Sequence, residues 1–128
     1  GFIGSHLVEK LVKKGYLVKT IVPYNIDNSW GWIDTLDKKI KKNIEVISGD
    51  ICDQNLISKE TKKIDIIFHL AALISIPYSY KSPRSYLSTN VLGTLSLLEL
   101  CRNSNVKKFI LASSSSVLTL GRLSWNVL

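Results

Sequence analysis

The sequence predicts an α/β domain built on a doubly wound parallel sheet. Three observations carry that expectation. Short β-branched runs alternate with helical runs along the chain. Ile64 to Leu70 is almost continuously apolar, as expected of a strand covered on both faces in a parallel sheet. The strand-like runs end in small or polar residues, Gly49-Asp50, Ala71-Ala72 and Ser113 to Ser116, and such sheets gather ligands at their carboxyl edge.

Gly4 to Lys14 reads as the first helix. Phe2, Ile3, Leu7, Leu11 and Val12 recur at helical spacing, with Glu9, Lys10, Lys13 and Lys14 on the other side. Gly15 stands where a left-handed C-terminal cap is expected. Leu17 to Val22 is a β-branched strand. Pro23 to Ile40 is rich in turn residues, with a short helix expected around Trp32 to Lys39. Ile44 to Ser48 is the next strand, and Asp53 is placed to cap a helix running to Lys59. Ser82-Pro83 puts an N-cap serine ahead of a first-turn proline, so a helix is expected from Pro83 to Arg102. Tyr86, Val91, Leu95, Leu98 and Cys101 would form its apolar face. Val106 to Ala112 is the last strand.

The chain has 128 residues, 45% hydrophobic and 21% charged, a balance that excludes disorder and suits one domain. Its longest nearly apolar stretch, Ile64 to Ile76, is interrupted by Asp65 and His69 and is too short to span a bilayer. No secretory signal pattern is visible. Lys and Arg number 17 against 10 Asp and Glu, giving +7. The lysines are scattered at helix ends and turns, which predicts a solvated surface and neither a nucleic-acid face nor a membrane surface. Cys52 and Cys101 are too few for a metal motif and read as free thiols in a reducing, cytoplasmic setting. The chain begins at Gly1 and contains no methionine, so it is expected to be a piece of a longer protein.

Gly1-Phe2-Ile3-Gly4 opens a helix, where backbone N–H groups and the helix dipole can meet a pyrophosphate. Glycines so spaced also occur at ordinary helix starts. Asp50 can accept from an adenine amino group while Ile51 covers the ring, or Asp50 can serve as a plain turn residue. Leu70-Ala71-Ala72 would let a ribose and phosphate approach the backbone.

Several motifs together are similar to a known family. Gly1 to Leu7 (Gly-Phe-Ile-Gly-Ser-His-Leu), Gly49-Asp50-Ile51, Phe68-His69-Leu70-Ala71-Ala72, Thr89-Asn90-Val91-Leu92-Gly93-Thr94 and the serine cluster stand in the order and spacing of the extended short-chain dehydrogenase/reductases. This is the NAD-dependent epimerase/dehydratase family, and the resemblance runs from Gly1 to about Val117. A narrower likeness, carried by Tyr24-Asn25, Asn28 to Asp34 and Ala71 to Tyr80, is to nucleotide-sugar 4,6-dehydratases. These include the UDP-N-acetylglucosamine type on the route to legionaminic acid and related bacterial surface sugars.

The resemblance implies a Rossmann-like sheet over residues 1–117, an NAD or NADP cofactor and a nucleotide-sugar substrate. It implies cofactor contacts at Gly1, Phe2, Ile3, Gly4, Asp50, Ile51, Leu70, Ala71, Ala72 and Asn90. Ser114 would be the catalytic hydroxyl on the sugar 4-hydroxyl, with Ser115 and Tyr78 also touching substrate; no metal is implied. The implied reaction moves hydride from sugar C4 to the cofactor, eliminates water across C5 and C6, and returns hydride to C6. The family often dimerises through two helices per subunit, and Pro83 to Arg102 would be one of them. A 4-epimerase or a non-catalytic dinucleotide-binding module are the alternatives.

The chain also departs from the family pattern. Where the family resembles Ser-Thr-Ser-Glu-Val-Tyr-Gly, this chain reads Ser113-Ser114-Ser115-Ser116-Val117-Leu118-Thr119. No tyrosine follows Tyr86, so the family's Tyr-x-x-x-Lys pair is missing. Residues 118–128 match nothing expected and read as an atypical, frameshifted tail. The cofactor's ribose partner is unassigned, because Val22-Pro23-Tyr24-Asn25 carries neither a carboxylate nor an arginine. The first strand and the C-terminal substrate domain are expected to be missing, which leaves strand edges open and solubility poor. The 128-residue chain is predicted to yield no 4-keto product from UDP- or GDP-sugars; a product detected by mass spectrometry would contradict this.

Overall fold

The computed structural model describes residues 1–114. The expected tail at 118–128, and Ser115 with it, lie outside the described residues.

Helix α1 spans Phe2–Lys13. Gly15 ends it at φ +85°, its N–H donating to the Val12 carbonyl at 2.9 Å. That is the left-handed close the sequence predicts. Strand β1, Val18–Val22, follows. It runs parallel to β2, Ile44–Ser48, with Val18 opposite Ile44 and Val22 opposite Ser48. Strand β3, Ile66–His69, runs parallel to β4, Lys108–Leu111, with His69 opposite Leu111. The described strands thus form two two-stranded parallel sheets. Parallel pairing gathers carboxyl ends: the Gly49 N–H donates to Val22 O at 2.9 Å, and the Ala112 N–H to His69 O at 3.1 Å.

Helical connections join these strands, as an α/β fold requires. The expected helix over Trp32 to Lys39 is instead two pieces, a 3₁₀ turn Gly31–Thr35 and α2, Lys38–Lys41. Leu36 is extended at ψ 151°, and Asp37 opens a new helix by accepting from the Lys39 N–H. Helix α3, Gln54–Glu60, starts as expected, with the Asp53 carboxylate accepting from the N–H groups of Asn55 and Leu56. Its far end is tied to the sheet by Lys19, which reaches Glu60 at 2.9 Å and Glu45 at 3.2 Å. That hydrogen bond holds the Glu60 carboxyl below its ordinary range.

The helix expected from Pro83 to Arg102 is continuous but mixed. It comprises α5 (Pro83–Tyr86), a π-helical segment (Leu87–Gly93) and α6 (Thr94–Arg102). Ser82 takes the N-cap place, yet its hydroxyl meets Ser85 Oγ rather than a backbone N–H. A short α4, Ile76–Lys81, precedes it and was not expected from the sequence.

The buried apolar residues are Val8, Val22, Ile33, Ile57 and Leu97, and Ile57 is only 1% exposed. Two expected faces therefore shift. On α1 the buried residues are Ser5 and Val8, while Phe2 and Ile3 are exposed. Ser5 is accepted inside because its hydroxyl donates within the helix, to Phe2 O at 2.8 Å. On the long helix Gly93 and Leu97 face inward, and Val91, Leu95 and Leu98 stand about half exposed. Strand β3 is shorter than expected and less covered: Ile66 is exposed and His69 buried. Among the described residues it hydrogen-bonds to a strand along one edge, that of β4. No helix of the described residues is long and apolar enough to cross a membrane.

Candidate functional site

Helix α1 makes its first backbone bond from Ser5 N–H to Gly1 O at 3.0 Å. The amides ahead of Ser5 have no intrahelical acceptor, as at every helix start. Gly1 and Gly4 border this end. A Cβ on Gly1 would meet nothing within 4 Å, and one on Gly4 would meet only Leu70 Cδ1 at 3.8 Å, an ordinary contact. Glycine inside a helix costs about 1 kcal/mol against alanine. Nothing in the described fold requires Gly4 to lack a side chain. The nearness of that Cβ position to Leu70 places the helix start beside the end of β3.

The ends of β1 and β2 frame the next part. The Asp50 carboxylate accepts from the Cys52 N–H at 2.9 Å, so it orders its own turn. It is exposed, and this turn bond uses one of its two oxygens. Beyond β1, the Asn25 carboxamide is taken up by the loop: its Nδ2 donates to Ser29 O at 2.7 Å and its Oδ1 accepts from the Ser29 N–H. Asp34 accepts from Ser29 Oγ and the Trp30 N–H, both at 2.8 Å. The stapled loop sets Trp32 edge-on to Phe2, with ring centroids 5.3 Å apart. The sequence places Trp32 at the start of a short helix; in the structure its ring seats the loop against the start of α1.

Ile51 meets the long helix at Gly93. A Cβ on Gly93 would lie 2.8 Å from Ile51 Cδ1 and 3.1 Å from Ile51 Cγ1. Cys52 Sγ lies 3.5 Å from Ser88 O, and Gln54 Nε2 donates to Ser96 Oγ at 3.3 Å. The Gly93 seat therefore locks the end of β2 against residues 88–96.

The end of β3 is held from the same helix. Asn90 Oδ1 accepts from the Leu73 N–H and its Nδ2 donates to Leu73 O, both at 2.9 Å. Thr94 Oγ1 donates to Asn90 O at 2.8 Å and lies 2.8 Å from His69 Nε2. His69 is 4% exposed, and burial pushes its imidazole below the ordinary value. Ala71 and Ala72 are exposed between these anchors.

Of the remaining predicted site residues, Ser114 is exposed and follows β4, whose end lies beside His69. Tyr78 on α4 is exposed, its ring centroid 6.2 Å from that of Tyr86. Sequence reading missed His69 and Thr94 as supports, although both sit inside motifs it singled out. Hollows lined by Thr61–Ile64 with Asn103–Asn105, and by Trp30 with Lys38, Lys41 and Lys42, lie away from the strand ends. Among the described residues no group of three or more His, Cys, Asp or Glu could hold a metal ion.

The Gly93 seat is testable. Gly93→Ala must shift the end of the Ile51 side chain, an overpacking cost of about 1–3 kcal/mol set against a helix gain of about 1 kcal/mol for alanine over glycine. Thermal melts should show no net gain or a loss of up to about 2 kcal/mol; a stabilisation by the full helix gain of about 1 kcal/mol would contradict the close approach.

The family model described as GDP-mannose 4,6 dehydratase matches residues 1–118. A dTDP-D-glucose 4,6-dehydratase of Dictyostelium discoideum is 39% identical over 98% of this chain and 30% of its own length. A UDP-glucose 4-epimerase of Caenorhabditis elegans is 35% identical over 91% of this chain and 36% of its own. A solved UDP-glucuronic acid 4-epimerase variant of Bacillus cereus, in complex with UDP-4-deoxy-4-fluoro-glucuronic acid and NAD, superposes with a TM-score of 0.79 at 34% identity. It covers 100% of this chain and 42% of its own. The chain thus spans about a third of the length of these curated relatives. The parallel strands, the helix start at Gly1 to Gly4 and the match over residues 1–118 together place the chain in the NAD-dependent epimerase/dehydratase family of extended short-chain dehydrogenase/reductases.

Proposed function

We propose that the chain is the NAD(P)-binding portion of a nucleotide-sugar 4,6-dehydratase. The observation that carries this reading is that Gly1 stands at the start of a 12-residue helix, where a Cβ would meet nothing within 4 Å. A ligand approaching the backbone would supply a reason for glycine there. The amides at Phe2, Ile3 and Gly4 would hold the pyrophosphate. Asp50 would accept from the adenine amino group, and Ile51 would cover the ring. Leu70, Ala71 and Ala72 would line the nicotinamide ribose, with Asn90 fixing their loop through Leu73.

The ribose end does not separate NAD from NADP. Asn25 is consumed within its loop, and neither a carboxylate nor an arginine follows β1 directly. The relative of known structure carries NAD. When bound, the cofactor supplies a hydride acceptor for the sugar C4. The part of this chain's residues is to bind and orient: Ser114, with Ser115 and Tyr78, would hold the nucleotide-sugar at the carboxyl edge and hydrogen-bond its 4-hydroxyl.

A 4-epimerase is the second reading, favoured by the 35% identity to the Caenorhabditis elegans enzyme. Both reactions begin by oxidising C4, so the same cofactor crevice serves either. The products of the whole protein, a 4-keto-6-deoxy sugar or a C4 epimer, separate them. A second copy of the chain is the proposed partner. Leu87, Val91, Leu95 and Leu98 stand about half exposed at helical spacing on the helix from Pro83 to Arg102, a stripe suited to a homodimer. Sedimentation velocity of the full-length protein should show a dimer that Leu95→Glu converts to monomer; a full-length wild-type monomer at about tens of micromolar contradicts it.

The cofactor reading has its own test in Gly1→Val. A Cβ at position 1 meets nothing within 4 Å, so stability should change by no more than about 0.5 kcal/mol. The side chain would stand where the pyrophosphate approaches the helix start, so NADH affinity should fall at least tenfold by fluorescence titration. Unchanged NADH affinity in a variant of unchanged stability would contradict the proposal.

A further inference from the structure

The chain from His69 through Thr94 to Asn90 is more than a set of satisfied polar groups. Thr94 has a single hydroxyl hydrogen, and it is donated to Asn90 O at 2.8 Å. Toward His69 Nε2, at 2.8 Å, Thr94 Oγ1 can therefore only accept. That fixes the imidazole as the Nε2–H tautomer, with Nδ1 carrying the lone pair. Asn90 lies in the π-helical segment Leu87–Gly93, a rare helix form that is frequent at functional sites. The Thr94 back-bond to the carbonyl four residues earlier is of the kind that bends helices. Asn90 then grips both backbone polar groups of Leu73, as a paired strand would. The path begins at His69, the last residue of β3, and returns to Leu73, four residues later. It closes a loop around Leu70, Ala71 and Ala72.

We propose that His69 and Thr94 are positioning residues that set the carboxamide of Asn90, and through it the backbone of residues 70–73. Thr94 is the central member, because its one hydroxyl bonds both His69 at the end of β3 and Asn90 in the π-segment. That residues 70–73 line a cofactor rests on the reading given above; the clamp itself does not.

The test compares the full-length protein with its Thr94→Val and Thr94→Ser variants. Valine keeps the shape and removes both hydrogen bonds, whereas serine keeps the hydroxyl. The Leu73 amide donates directly to Asn90, so its hydrogen exchange, followed by NMR, reports the clamp. Loss of one hydrogen bond is about 0.5–1.5 kcal/mol, so Thr94→Val should speed that exchange about 2- to 10-fold beyond any global change, and serine should restore it. NADH affinity should fall in parallel and recover with serine. Leu73 exchange unchanged in Thr94→Val, or not restored in Thr94→Ser, overturns the proposal. If Thr94→Val does not fold, nitrogen NMR of His69 in the unmutated protein decides: a proton on Nε2 supports the chain of bonds, and a proton on Nδ1 alone overturns it. Failure of the unmutated protein to bind NADH would count against the cofactor reading and leave the Leu73 exchange result to judge the clamp.

Discussion

The close approach of Gly93 to Ile51 is the contact on which the site's geometry depends. A side chain at position 93 would collide with Ile51. Its absence lets the helix from Pro83 to Arg102 settle on the turn that ends β2. With the helix seated there, Asn90 reaches Leu73 and Thr94 reaches His69. One missing methyl thus connects the end of β2 to the end of β3, although these strands belong to different two-stranded sheets. Leu70 also lies close to Gly4, so the start of α1 stands beside the end of β3. Both approaches lie at the carboxyl edges of parallel strands, where helix-start amides and small residues leave the backbone open to a ligand.

Rigidity and openness are divided between residues in a consistent way. Asn90, Thr94, Gly93 and Asn25 spend their polar or steric freedom on neighbours within the chain. Gly1, Gly4, Ala71, Ala72 and one oxygen of Asp50 are left to face outward. A cofactor bound as proposed would meet the second group, while the first would hold the crevice in place beforehand, which lowers the cost of binding. The tryptophan loop follows the same division: Asn25, Ser29 and Asp34 close it internally, and Trp32 holds it to Phe2.

Much of this was legible in the sequence where the signal is local. Ile44 to Ser48 is read to the residue because a β-branched run lies between Asn43 and Gly49. Asp53 and Gly15 act as cap residues by chemistry that needs no tertiary context. The start of β3 was overread because apolarity does not show where a ladder begins. Lys63 turns at φ +63°, and the Ile64 N–H goes to Thr61, so pairing starts later. The π-segment has no local signature distinct from an α-helix, and the inward face of the long helix was misread because Gly93 was not counted as a core residue. The site's glycines and strand-end motifs were visible as patterns. The bond from His69 to Thr94 was not, since it joins residues 25 apart through a tertiary contact.

On the proposed reading, the ends of these parallel strands and the start of α1 form one dinucleotide crevice. The decisive measurement is of backbone amide shifts while NADH is titrated into the protein. Gly4, Asp50, Ile51, Ala71 and Ala72 should respond together along one binding curve. No response at saturating cofactor, or one confined to the lysine face at Lys38 to Lys42, would contradict it.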